Sequence, residues 1–289
     1  MEWTPGGVSG DIEDRRDEGG GGGMRFGGFG GPHLGIGGTI LLLVLSVVFR
    51  QNLFTLFSGG GAPTDQRAPV AESDRSRQPG EEREVQFVSF VLDDVQHTWD
   101  KLLPEQARTP YRHAKLVLFR DATQSACGMA ETATGPFYCP GDEKVYIDLG
   151  FYDELKEKFG APGEFAQAYV IAHELGHHVQ KILGYERQVR RLQQQNPDNA
   201  NQYSVALELQ ADCLAGVWGH TTEQRNLVNE RDVTEGLRAA AAVGDDRIQR
   251  MTRGYVSPES FTHGSSAQRT SWFRKGLDSG EISACQTLR

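Results

Sequence analysis

Cysteine is scarce in this chain of 289 residues: there are 4, and none forms a C-x-x-C pair. That excludes a zinc ribbon and a thioredoxin-type motif, and so few cysteines cannot staple a chain of this size into a disulfide scaffold. Basic charge is also short. The formal net charge is −9, and no stripe of Lys and Arg runs along the chain. Phosphate neutralisation needs such clusters, so nucleic acid is not an expected partner. No internal repeat is present. Glycine is plentiful, at 35 residues, but it crowds the first 61 positions. The remainder is not glycine-rich, and its apolar content suffices for a core.

The chain divides by composition. Residues 1–33 are expected to be a disordered, glycine-rich N-terminal segment, because residues 1–25 show neither a helical nor a strand period. From Phe26 to Phe49 there is no charge, and the run Ile36 to Phe49 is densely apolar. Residues 34–57 are expected to form one transmembrane helix. They reach the ~20 residues that a crossing needs if Arg50 snorkels to the interface. A cleaved signal peptide fits less well, since the stretch begins late and no small-residue cleavage site closes it. Arg15, Arg16 and Arg25 precede the stretch, and Arg50 and Arg67 follow it. That bias points slightly to an inside N terminus. Residues 58–85 read as a flexible linker.

Residues 86–289 carry the globular pattern. Phe87, Val88, Phe90, Val91, Val95, Trp99 and Leu102 mark a first amphipathic helix. Strands are expected at Leu116–Phe119 and Val145–Leu149. Helices are expected at Phe151–Phe159, Glu164–Leu183, Ser204–His220, Val233–Ala242 and Ser265–Leu277, the last capped by Ser265. A few strands followed mostly by helices suit an α+β domain.

The chemistry is carried by His173-Glu174-Leu175-Gly176-His177. On a helix the two histidines lie about 40° apart around the axis, so both rings can meet one zinc ion at about 2.0–2.1 Å. Glu174 falls on the flank of that face, where it serves as general base rather than ligand. A third ligand is still required. One peptidase class places Gly and His at the positions held here by Gln180 and Leu183, so that class is excluded. Glu208-Leu209-Gln210-Ala211-Asp212 offers the alternative on a later, largely apolar helix. Glu208 is the expected ligand. Asp212, on the same face, is expected to accept the free N–H of His173. His263, in a glycine-containing loop before a helix, is the candidate oxyanion donor, with Tyr203 a weaker one. His178 is expected to pack rather than ligate, and His220 to act at a helix C-terminus. Gly135-Pro136-Phe137-Tyr138 precedes a strand and offers an edge to which an extended peptide can add. Among the cysteines a local Cys127–Cys139 bridge is preferred, leaving Cys213–Cys285; four reduced, buried thiols are the other option.

These residues resemble the bacterial neutral zinc metallopeptidases of the YpfJ type, predicted single-pass membrane proteins. The likeness covers Ile12-Glu13-Asp14-Arg15-Arg16, Leu34-Gly35-Ile36-Gly37-Gly38, the motif from Ala172 to Gln180, the stretch from Glu208 to Trp218, and Thr262-His263-Gly264-Ser265-Ser266. The resemblance implies a zincin-like, gluzincin-type peptidase with Zn2+ held by His173, His177 and Glu208. It also implies a peptide or protein substrate and a cell-membrane location with the peptidase domain outside the cytoplasm, which favours disulfides. A non-catalytic, zinc-stabilised, membrane-anchored binding or scaffolding module is the alternative. Glu174 speaks against it, because a structural site has no use for a base.

Overall fold

The computed structural model describes residues 1–18, 81–131, 135–157, 160 and 163–288. The transmembrane helix expected at 34–57, and the expected linker up to residue 80, lie outside the described residues. Among the described residues no helix is long and apolar enough to cross a membrane.

The fold is α+β, mostly helical with a small sheet. A long helix α1 (Glu81–Ala107) opens the main body, with acidic residues in its first turn suited to the helix dipole. It begins before the expected domain boundary. Val85, Val88, Leu92, Val95 and Trp99 recur at helical spacing and are all buried, so one stripe of α1 faces the core. The sheet holds β1 (Ile12–Asp14), β2 (Lys115–Phe119), β5 (Phe137–Cys139) and β6 (Lys144–Asp148) in the order β1-β2-β6-β5. The first three strands of that order run parallel, and β5 is an antiparallel edge paired Phe137↔Tyr146. A separate hairpin joins β3 (Ala122–Ser125) to β4 (Gly128–Glu131). Helices α2 (Gly150–Glu157), α3 (Glu164–Leu183), α4 (Tyr185–Gln195), α5 (Ala200–Gln224), α6 (Glu230–Ala242), α7 (Asp245–Arg253) and α8 (Ser266–Ser279) follow.

The expected disorder of the N-terminal segment needs correction for its first 18 residues. β1 pairs in register with β2, Ile12 opposite Leu116 and Asp14 opposite Leu118. Its polar sequence hides the strand because its charges are met by distant residues. Glu13 accepts from Lys144 Nζ at 2.7 Å. Asp11 accepts from Gln96 at 2.9 Å and from Lys115 at 2.8 Å.

Both cysteine pairs are bridged: Cys127 with Cys139, and Cys213 with Cys285. The first ties the β3–β4 turn to β5, and the second ties α5 to the C-terminal turn at Ile282–Cys285.

Two glycines set how closely the helices approach. A Cβ added at Gly176 of α3 would sit 3.0 Å from the Ala211 carbonyl oxygen of α5. Gly276 of α8 lies closer still to α5, since its Cβ would come 1.9 Å from the Cys213 carbonyl oxygen. These are backbone-to-backbone crossings that any side chain would prise apart.

Candidate metal centre

The α3–α5 crossing creates the site. Gly176 lies between His173 and His177 in sequence, and Ala211 lies between Glu208 and Asp212. Contact of the two backbones there brings the carboxylates of α5 against the imidazoles of α3. His173, His177 and Glu208 each offer a ligand atom, all within 4.8 Å of one another. His173 Nε2 is 3.2 Å from Glu208 Oε2, and His177 Nε2 is 3.5 Å from Oε1. The imidazole planes are nearly perpendicular, at 88°, with centroids 4.8 Å apart.

Each histidine is held from behind. His173 Nδ1 donates to Asp212 Oδ1 at 2.8 Å. His177 Nδ1 donates to Gln180 Oε1 at 2.9 Å. Both Nε2 atoms are thereby aimed at Glu208, with the tautomer set by the outer partner. Gln180 is itself fixed, donating to Leu207 O at 2.7 Å and to Gln210 Oε1 at 3.1 Å. Gln210 in turn donates to the carbonyl of Cys285 at 2.9 Å. A chain of amides therefore runs from the Cys213–Cys285 bridge to His177.

Asp212 is fully buried and carries four contacts. Besides His173 it accepts from Tyr169 Oη at 2.5 Å, from Arg269 Nε at 2.8 Å on Oδ2, and from Arg269 Nη2 at 2.8 Å on Oδ1. Arg269 also donates to Val243 O at 3.1 Å. Burial alone would push the Asp212 carboxyl up, but Arg269 and His173 outweigh it and hold it below the usual carboxylate range. Glu208 behaves alike: burial opposes ionisation, yet His177 and His173 keep its carboxyl well below the ordinary value. Burial would push His173 down, and Asp212 and Glu208 reverse this, raising it to about 10. The field of these carboxylates thus favours positive charge between the two rings. Two imidazole nitrogens and a carboxylate oxygen, each fixed from its far side, fit a divalent metal such as zinc.

Glu174 is buried beside the histidines and lines the same cavity. Burial pushes its carboxyl up, and the neighbouring imidazoles pull it back only in part. The cavity holds roughly 730 Å³. Its walls include Phe137 and Tyr138 of the edge strand, Phe151, Val189 of α4 and Leu207 of α5, so the space above the cluster is apolar and open to the sheet edge.

His263 also lines this cavity. Its ring Nδ1 lies 3.2 Å from Asp245 Oδ1, and its backbone N–H donates to Asp245 Oδ2 at 2.6 Å. The hydrogen bond that the His263 ring donates to Asp245 raises the imidazole against the effect of burial. Tyr203 is not among the cavity's lining residues. His220 sits elsewhere, with Nδ1 2.7 Å from Leu277 O. His178 is fully buried, and burial pushes its imidazole down towards the neutral form. Its Nδ1 accepts from Tyr138 Oη at 2.9 Å while Nε2 donates to Arg112 O at 2.8 Å. His178 therefore pins the edge strand to the helix bearing His173 and His177.

Sequence reasoning missed Arg269, Tyr169, Gln180 as a partner of His177, and Asp245. Tyr169 was legible in principle, since it lies one helical turn before His173. Arg269 and Asp245 had no local signal.

This arrangement is a His-His-Glu cluster that fits a divalent metal, with a buried carboxylate beside it; comparison with known proteins supplies the class. Residues 1–288 match the model of the family described as "putative neutral zinc metallopeptidase", and the chain belongs to that family. It is 46% identical over 289 residues to "Uncharacterized protein YpfJ" of Escherichia coli K12, covering 100% of this chain and 99% of that protein. It is 42% identical over 207 residues to "Uncharacterized protein Rv2575" of Mycobacterium tuberculosis H37Rv, covering 68% of each. No solved structure matches the chain.

Proposed function

We propose that the protein is a membrane-held, zinc-dependent peptidase of the gluzincin type, with a zincin-like domain lying outside the cytoplasm. The observation that carries the catalytic reading is the meeting of the His173, His177 and Glu208 ligand atoms with buried Glu174 in one cavity. The apolar stretch 34–57 supports the membrane location. The two disulfides support an oxidising compartment.

His173, His177 and Glu208 would hold the zinc. When bound, it supplies Lewis acidity that polarises the scissile carbonyl and acidifies water towards a pKa of about 7. Glu174 takes the proton of the attacking water. Its raised pKa suits that task, because a general base works best near the ambient pH. It then passes the proton to the leaving amine. His263, oriented through Nδ1 by Asp245, keeps Nε2 for the cavity and donates to the carbonyl oxygen as charge develops there. Asp212, braced by Arg269 and Tyr169, holds His173 in one tautomer. The β5 edge offers main-chain groups to an extended peptide.

The test uses unstructured casein with the full chain. Hydrolysis is expected with zinc, none with a chelator, and none by Glu174→Gln, which should retain the metal. Undiminished cleavage by Glu174→Gln refutes the mechanism, and metal binding without any cleavage would favour the scaffolding role.

A further inference from the structure

The N-terminal strand restricts how the chain can meet a membrane. Residues 1–18 belong to the same folded unit as the peptidase domain. β1 is hydrogen-bonded into the sheet beside β2, and the ladder continues at both ends. Leu116 N–H donates to Asp11 O at 2.8 Å, and Arg15 N–H donates to Leu118 O at 2.7 Å. Neighbouring strands lie about 4.8 Å apart, so the two segments are inseparable while the sheet exists.

Further contacts spread along the segment. Trp3 packs on Phe87 and Phe90, and its Nε1 donates to Glu164 at 3.1 Å. Ser9 donates to Asp93 at 2.5 Å. Arg16 donates to Glu81 at 3.2 Å. Residues on either side of the apolar stretch are thus joined through the sheet, α1 and α3.

A single crossing by residues 34–57 would put β1 and β2 on opposite faces of the bilayer, which this sheet forbids. Only an even number of crossings is compatible with it. Two crossings need about 40 apolar residues. The apolar stretch from 34 to 57 is long enough for one. We infer that residues 1–18 and 81–288 occupy the same face of any lipid bilayer the protein meets. This replaces the single-pass arrangement expected from the sequence. It rests on the membrane part of the proposed function and is independent of the zinc chemistry. It also places the catalytic cavity on the face that carries the N terminus.

Topology labelling tests it on the full chain in spheroplasts. Val8 and Tyr255 are both 62% exposed and lie on the two segments in question. Val8→Cys and Tyr255→Cys would be made separately and treated with a membrane-impermeant maleimide before and after lysis. The native cysteines are all bridged, so the new thiol is the reporter. The inference expects both sites to behave alike, labelled in intact spheroplasts or both only after lysis. One site labelled and the other protected overturns it. Alkaline carbonate washing separates the two levels: release of the protein overturns the membrane reading itself, whereas retention with opposite labelling overturns this inference alone.

Discussion

Replacing Gly176 by Ala tests whether the α3–α5 crossing makes the metal site. The added Cβ would lie 3.0 Å from the Ala211 carbonyl oxygen and 3.3 Å from its Cα. Both neighbours are backbone, so the helices must part. Moving from 3.0 Å to the 3.4 Å where ordinary contact begins takes about 0.4 Å. Metal–ligand distances tolerate about 0.2 Å. Glu208 rides on one helix and both histidines on the other, so the displacement falls on the ligand set. Stability changes less. Ala gains about 1 kcal/mol over Gly in a helix, while overpacking costs roughly 1–3 kcal/mol. The variant should fold with a loss of at most about 2 kcal/mol, yet bind zinc roughly 10–100-fold more weakly, the range seen when ligand positioning is disturbed. Chelator competition reads the affinity, and urea denaturation reads the stability. Unchanged zinc affinity in a folded Gly176→Ala variant would refute the reasoning.

Other expectations follow from the buried contacts. Arg269→Gln leaves the Asp212 carboxylate without its cation and should destabilise the fold by about 3–5 kcal/mol in urea titrations; Arg269→Lys should recover only part of this. Cys285→Ser opens a bridge spanning 72 residues and loosens the amide chain to His177. It should lower stability by about 2–4 kcal/mol and weaken zinc binding in the same chelator assay. His113 bridges Asp11 at 2.7 Å and Asp100 at 3.0 Å. Burial would lower its pKa, but the two carboxylates raise it above 6.5. The bridge therefore stabilises fully below the unfolded value and fades as pH rises through the higher folded one. Hydrogen-exchange protection factors of β1 should fall as pH rises above the ordinary histidine value of about 6.5, relative to His113→Gln, which should show no such trend.

Much of the site was readable because its groups repeat at helical spacing. The expected helix at Glu164–Leu183 coincides with α3. His173 with His177, and Glu208 with Asp212, are each one turn apart, so local periodicity places each pair on one face. Ser265 caps α8 through a capping box with Gln268, a signal contained in four consecutive residues. β2 and β6 were legible as short apolar runs. β1 was not, because Ile12-Glu13-Asp14 holds a single apolar residue and gains strand character only from a partner about 100 positions later. α4 escaped notice for a related reason: Val189 is its single buried residue, so almost no apolar stripe marks it. Arg269 looks like any exposed helix cation until α8 crosses α5 at Gly276 and carries it onto Asp212. Pairings of that kind depend on tertiary contact alone.

The central claim is that one divalent metal joins α3 to α5. Anomalous diffraction at the zinc edge, from crystals of the full chain grown with zinc, measures this directly. The account predicts a single strong peak in the cavity within bonding distance of His173 Nε2, His177 Nε2 and the Glu208 carboxylate, with Glu174 beside it and not bound. A peak held by other residues, or none in that cavity, would contradict it.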